Sequence, residues 1–259
     1  MNTGVVLFVC LLTVLCSPAF ASSLPCHLTV PVTEQPHQST STEPSRWRAL
    51  QQELLQLLAQ SADCSIQLIK VPWARGLVML QDGELDLVMT LSKTAERERY
   101  ADFIGSHYME EMVLVLRRDY QQQVLKLDDL LQLPGKIAVL RDGFYGEEYQ
   151  QLRRNPAFER KLQPAQTISH QLAFLQHQRV LGIIGEKAQY ERWASSHPEQ
   201  AADYVEQLLV NRNPVYFAAS RKALSQQQRD HLRQSWAKVY GSTAHKAILQ
   251  KYGWSTVLQ

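Results

Sequence analysis

The strongest constraint on the fold is an alternation. Short apolar runs of strand length take turns with stretches whose apolar residues recur at helical spacing. Leu28-Thr29-Val30 opens a strand over 28–32. Trp47, Leu50, Leu54, Leu57 and Leu58 then mark a helix, with Ser45 placed to cap it. A strand over 65–71 ends at Pro72, a short helix over 74–82 stops at Gly83, and 84–89 is the next strand. New material repeats the pattern: a strand over 112–116, a short helix at Leu127-Asp128-Asp129-Leu130, and a strand over 136–140. A helix follows over 145–154, then one capped by Ser169 and carrying Leu172 and Leu175, with strands at 180–184 and 215–218. Helices carrying Leu232, Trp236 and Val239, then Ile248 and Leu249, close the chain. Strands alternating with helices predict βαβ units and parallel sheets, hence an α/β protein.

Composition removes several classes. With 259 residues, 45% hydrophobic, 20% charged, and 11 each of Gly and Pro, the chain is neither fibrous nor low in complexity. Lys+Arg 27 against Asp+Glu 25 leaves a net charge of +2, which gives no basic stripe for nucleic acid. The length fits one large domain or two small ones.

Residues 1–21 carry no charged side chain, hold an apolar run over 5–15, and end in Ala19-Phe20-Ala21. This pattern predicts a secretory signal peptide cleaved after Ala21. The run is too short to span a bilayer, and Leu15 before Cys16 does not suit lipid attachment. A free periplasmic product is expected. Cys10 and Cys16 leave with that segment. Cys26 and Cys64 remain, each just before an apolar strand. If those strands are parallel neighbours, the cysteines lie side by side and form a disulfide in an oxidising compartment. Two buried thiols are the alternative.

No catalytic or metal-binding constellation is present. The eight histidines lack ligand spacing, and no metalloprotease, redox, hydrolase, P-loop or dinucleotide motif occurs. His170 and His177 read as surface residues. Glu147-Glu148 reads as a solvated helix start, where acidic residues suit the dipole. No cofactor or metal is expected.

The informative segment is Thr90-Leu91-Ser92-Lys93-Thr94-Ala95-Glu96-Arg97, directly after a strand. Hydroxyls at a strand end, a Thr able to cap a helix and an Arg in its first turn together make an anion site, with Arg as a bidentate fork for a carboxylate. Taken alone, the alternative is that Glu96-Arg97-Glu98-Arg99 is a solvated charge run.

The stretch 71–108 resembles the periplasmic solute-binding proteins of polar amino-acid ABC transporters. Gly83-Glu84-Leu85-Asp86, Thr94-Ala95-Glu96-Arg97, Asp102-Phe103 and Tyr108 fill that family's motif positions in order. The resemblance continues through Leu127-Asp128-Asp129-Leu130 and Gly135-Lys136-Ile137-Ala138-Val139, then 179–186 and 214–218, to 248–253. It implies a two-lobed Venus-flytrap fold, each lobe a mostly parallel sheet flanked by helices. Lobe 1 would be 22–115 plus 217–259, and lobe 2 would be 116–216. Arg97 matches the residue gripping the ligand α-carboxylate, with Thr90 and Ser92 as contacts in the turn before it. Gly143 and Phe144 match the second-lobe turn completing the carboxylate site. Glu186 stands where the family has an Asp for the α-ammonium.

The stretch 33–51 departs from the family: it is short and polar and lacks the usual aromatic residues and acidic signature. Trp73 and Arg75 are candidates for the missing wall of the pocket, by stacking or charge; core packing or surface placement of the tryptophan is the other reading. Leu181 reads as a packing residue. The implied function is a monomeric receptor delivering an amino acid or related carboxylate to an ABC permease. The alternative is an orphan sensor or accessory protein on the same fold. An enzyme is not expected, since no nucleophile pairs with a base.

Overall fold

The computed structural model describes residues 26–32 and 46–252. The signal peptide 1–21, the polar loop 33–45 with Ser45, the end of the chain from 253 and the side chain of Trp47 lie outside the described residues. Strand β1 (Cys26–Val32) pairs in parallel with β2 (Cys64–Lys70), and helix α1 (Arg46–Ser61) crosses between them. Leu50, Leu54 and Leu58 recur every four residues along one stripe of α1, and all three are fully buried. Cys26 and Cys64 are register partners, and their sulfurs are bonded. Helix α2 (Trp73–Asp82) ends at Gly83, which turns the chain in the left-handed region at φ 79°.

Strand β3 (Leu87–Ser92) follows. The Asp86 carboxylate accepts the Thr29 N–H at 2.8 Å, and the Asp86 N–H donates to the Thr29 carbonyl at 3.0 Å. The Gly83-to-Asp86 spacing thus ties the β3 entrance to β1. Strand β4 (Ala101–Arg117) then runs 17 residues, a span of roughly 55 Å. The second half holds β5 (Ile137–Leu140), α3 (Glu147–Leu152), α4 (Pro156–Lys161), β6 (Leu162–Ala165), α5 (Ile168–Gln176), β7 (Gly182–Glu186), α6 (Lys187–Ser196) and α7 (Pro198–Ala201). Strand β8 (Tyr204–Ser220), also 17 residues, returns antiparallel to β4 along its whole length. Helices α8 (Gln226–Val239) and α9 (Thr243–Lys251) finish the chain.

The six-stranded sheet has the order β3-β8-β4-β7-β5-β6. Its β7-β5-β6 edge is parallel, as β1-β2 is, while the β4–β8 ribbon is antiparallel to its neighbours. Packing divides along that ribbon. Tyr108, Val215 and Phe217 join the core built by α1, β1, α8 and α9. Met112, Leu114 and Leu116 join the core around Tyr149 and Phe158, with Leu208 and Val210 against it. Two bodies therefore share one continuous ribbon. Close packing also demands Gly105, because a Cβ there would fall 1.9 Å from Cδ1 of Trp236 on α8.

Several local expectations are corrected. The sequence shows five residues of β4 and four of β8 as apolar strand, because elsewhere both ribbons carry mixed residues that face a cleft or solvent. α5 is capped by Thr167, whose hydroxyl accepts the His170 N–H, rather than by Ser169. The turn after Thr94 is a single 3-10 turn over Arg97–Arg99 and not a longer helix. Leu181 packs in the second core, as expected.

Candidate ligand-binding site

A cavity of about 180 Å³ lies where the two bodies face each other across the β4–β8 ribbon. One side is formed by the end of β1, the start of α2, the end of β3 and Arg48 and Gln51 of α1. The other is formed by the turn after β5, the start of α5, and the junction of β7 with α6. Sites in α/β proteins gather at such strand ends because the connecting loops converge there. Met89, Met112 and Phe144 are among its apolar lining residues, with a few polar groups set among them.

Arg97 is the dominant cation of the site, 8% exposed at the head of its 3-10 turn. Thr94 fixes the turn, its hydroxyl accepting the Arg97 N–H at 3.2 Å. Nη1 donates to the Ser92 carbonyl at 2.9 Å and Nη2 to the Asp142 carbonyl at 3.0 Å. One guanidinium therefore spans the cleft from β3 to the turn after β5. Both of these acceptors are neutral, and burial pulls the Arg97 pKa below its ordinary value. A buried guanidinium held by carbonyls is a strong seat for an anion, since its fork geometry matches a carboxylate.

Asp142 reaches Arg97 because its backbone sits in the left-handed region at φ 59°, which turns its carbonyl toward the cleft. The next residue has no room for a side chain. A Cβ at Gly143 would lie 2.9 Å from the Tyr145 hydroxyl oxygen. That hydroxyl in turn accepts the Leu140 N–H at 2.7 Å.

Two acids line the same cavity. Glu186, the last residue of β7, is register partner to Met112, and Glu110 stands two residues earlier on β4. Alternation puts both carboxylates on the cavity face of adjacent strands. Burial raises the Glu110 pKa to about 7, opposed by the Ser92 hydroxyl, at 3.3 Å from Oε2, and by the charge of Arg97. Burial raises Glu186 to about 8, with the Glu110 charge adding to it and Gln189 and Arg192 opposing. Glu186 Oε1 is buried without a hydrogen-bond partner.

The structure brings Arg97, Thr90, Ser92, Gly143, Phe144, Glu186 and Trp73 to this one cavity. Trp73 both lines the cavity and packs on the small core behind α2 and β3, so its two readings coexist. Arg75 is elsewhere: it pairs with Glu84 on the surface at 3.3 Å and is not among the lining residues. Arg75 stands two residues after Trp73 on α2, on the opposite side of the helix, which turns it to solvent. The sequence did not point to Glu110, Arg48, Gln51, Asp142 or Gln171, and marked Tyr108 as a motif position without a place in the site. Gln171 donates to the Ala138 and Ile184 carbonyls, at 2.9 and 2.7 Å, and so holds α5 to β5 and β7. A pair of adjacent acids just before the apolar run Met112 to Leu116, Glu110-Glu111, was the one available signal.

The model of the bacterial extracellular solute-binding proteins, family 3, matches residues 30–254. No curated protein matches the sequence. Among solved structures, a histidine kinase sensor domain with similarity to periplasmic binding proteins superposes with a TM-score of 0.72 at 15% identity, covering 88% of this chain and 96% of that one. An ancestral arginine-binding protein bound to arginine gives a TM-score of 0.70 at 16% identity, over 88% and 98%. An amino acid ABC transporter substrate-binding protein from Streptococcus pneumoniae, bound to L-arginine, gives 0.67 at 15%, over 87% and 94%. At such identities the likeness shows the two-lobed α/β fold alone.

Proposed function

The chain belongs to the bacterial extracellular solute-binding proteins of family 3, and from that premise we propose that it captures an α-amino acid in the cleft between its lobes. Arg97 carries this reading. It is buried, charged and bridges both walls, so a ligand carboxylate drawn to it touches both lobes at once. Thr90, Ser92 and the Gly143-Phe144 turn line the same end, and Glu186 takes the α-ammonium. Trp73 forms part of the wall. The division of the two cores supports a lobe boundary on β4 between 108 and 112, and on β8 between 210 and 215. That is a few residues from the junctions at 115/116 and 216/217 expected from the sequence.

Binding without chemistry is the favoured mode, because the family is one of solute-binding proteins. Delivery to an ABC permease from the periplasm, as a monomer cleaved after Ala21, completes the proposal. Among the described residues no helix is long and apolar enough to cross a membrane. The likeness to a histidine kinase sensor domain favours a second reading, in which the same closure reports the solute instead of delivering it. Genes for a permease and ATPase beside this one support delivery, and a kinase or cyclase gene supports sensing.

Calorimetric titration of the protein against the common amino acids tests the shared part of both readings. Micromolar or tighter binding of at least one is expected, reduced at least a hundredfold by Arg97→Ala. Undiminished binding in that variant sinks the carboxylate clamp.

A further inference from the structure

The cavity holds one more acid than a zwitterion needs. Arg97 takes the ligand carboxylate, and one ammonium takes one carboxylate, yet both Glu110 and Glu186 line the space. They project from neighbouring strands β4 and β7 onto one face, two residues apart in register. The Ser92 hydroxyl at 3.3 Å is a neutral partner for Glu110, and Glu186 Oε1 is buried with none. We propose that, with Glu186 taking the α-ammonium, Glu110 beside it seats a second positive charge, so that the cavity selects amino acids whose side chain ends in an ammonium or guanidinium group. This rests on the reading of the cavity as an amino-acid site and adds its side-chain class.

The charges around the pair bear this out. From its own strand, Glu110 has the Tyr108 phenol nearby, and Arg97 reaches it from the 3-10 turn. Arg192 acts on Glu186 from α6, while its Nη1 donates to the Gln189 side chain at 3.2 Å. Arg48 lines the cavity from α1. None of these holds the two acids ionised: both pKa values stay raised toward neutrality. A buried carboxylate stays protonated unless a cation compensates it. A neutral side chain leaves one acid in that state, whereas a cationic one discharges both. Occupation by a dicationic ligand therefore expels protons.

The experiment compares L-arginine with L-citrulline, which keeps the shape and removes the charge, by calorimetry at pH 7.5 in buffers of different ionisation enthalpy. Arginine is expected to bind at least tenfold tighter than citrulline and to release more protons than citrulline does. Glu110→Gln should cut the arginine-to-citrulline ratio to within about twofold, whatever it does to citrulline affinity alone. Because that variant removes an acid from the cavity, its melting temperature provides the folding control, and Glu110→Ala gives a second neutral variant in case it fails to fold. Equal affinities for the two ligands overturn this inference and leave the amino-acid reading intact. An unchanged ratio in both variants overturns it as well. Agmatine, which lacks the carboxylate, separates the remaining cases. If it binds while arginine does not, the Arg97 clamp fails and the cation subsite stands. If none of the three ligands binds, the subsite is overturned.

Discussion

Arg97 and Glu110 show how burial gives single side chains their roles. Arg97 is charged and held in place by carbonyls from both sides of the cleft, so any small shift in the Asp142 turn moves its fork. Gly143→Ala tests this. The added Cβ meets the Tyr145 ring and must displace the turn, so ligand affinity should fall about tenfold with a stability loss of about 1 kcal/mol. Denaturant titration beside calorimetry separates the two effects. Glu110 and Glu186 make a pH prediction whose sign is definite. Their folded pKa values, about 7 and about 8, lie above the ordinary 4.5, so the folded state binds more protons between those limits. Their contribution is present in full below pH 4.5 and is lost as pH rises through 7 and 8. The ligand-free protein should therefore melt several degrees lower at pH 8.5 than at pH 5. Glu110→Gln should flatten that slope, and a melting series across pH reads it directly.

At the scale of elements, the β4–β8 ribbon is anchored at one end by an ion cluster. Asp102 accepts from Arg229 Nε at 2.6 Å and from Arg221 Nη2 at 2.7 Å, joining β4 to α8 and to the segment before it. Arg229 is buried, with side-chain exposure of 10%. Removing its partner strands a charge, so Asp102→Ala should cost about 3–5 kcal/mol in denaturant unfolding. The Cys26–Cys64 bridge closes a separation of 38 residues over β1, α1 and β2. Loop-closure entropy gives it roughly 3–4 kcal/mol. Replacing both cysteines by Ala should then lower the melting temperature by roughly 6–16 °C. The bridge was legible in the sequence because two strands of one parallel unit each begin with a cysteine. The ribbon was only partly legible: Met112 to Leu116 read as strand, but 101–111 and 204–214 mix polar and apolar residues. One face of that stretch lines a cleft, and this erases the alternation on which strand reading depends.

For the whole molecule, ligand binding should appear as stability. L-arginine at a hundredfold its Kd adds about 2.7 kcal/mol by mass action, a rise of roughly 5–11 °C, and Arg97→Ala should abolish it. Thermal shift measures both. The sequence by itself determined the α/β class, the order of most elements, the family and the Arg97 turn, since these depend on local periodicity and on short motifs contiguous in the chain. It also placed Glu186, because the family resemblance aligns that residue with an Asp for the α-ammonium. Only the tertiary structure decided that Arg75 faces solvent, that Arg97 is buried against Asp142, and that Glu110 stands beside Glu186. Those facts depend on register between strands distant in the chain and on burial, which shifts a carboxylate toward neutrality only once the surrounding core has closed.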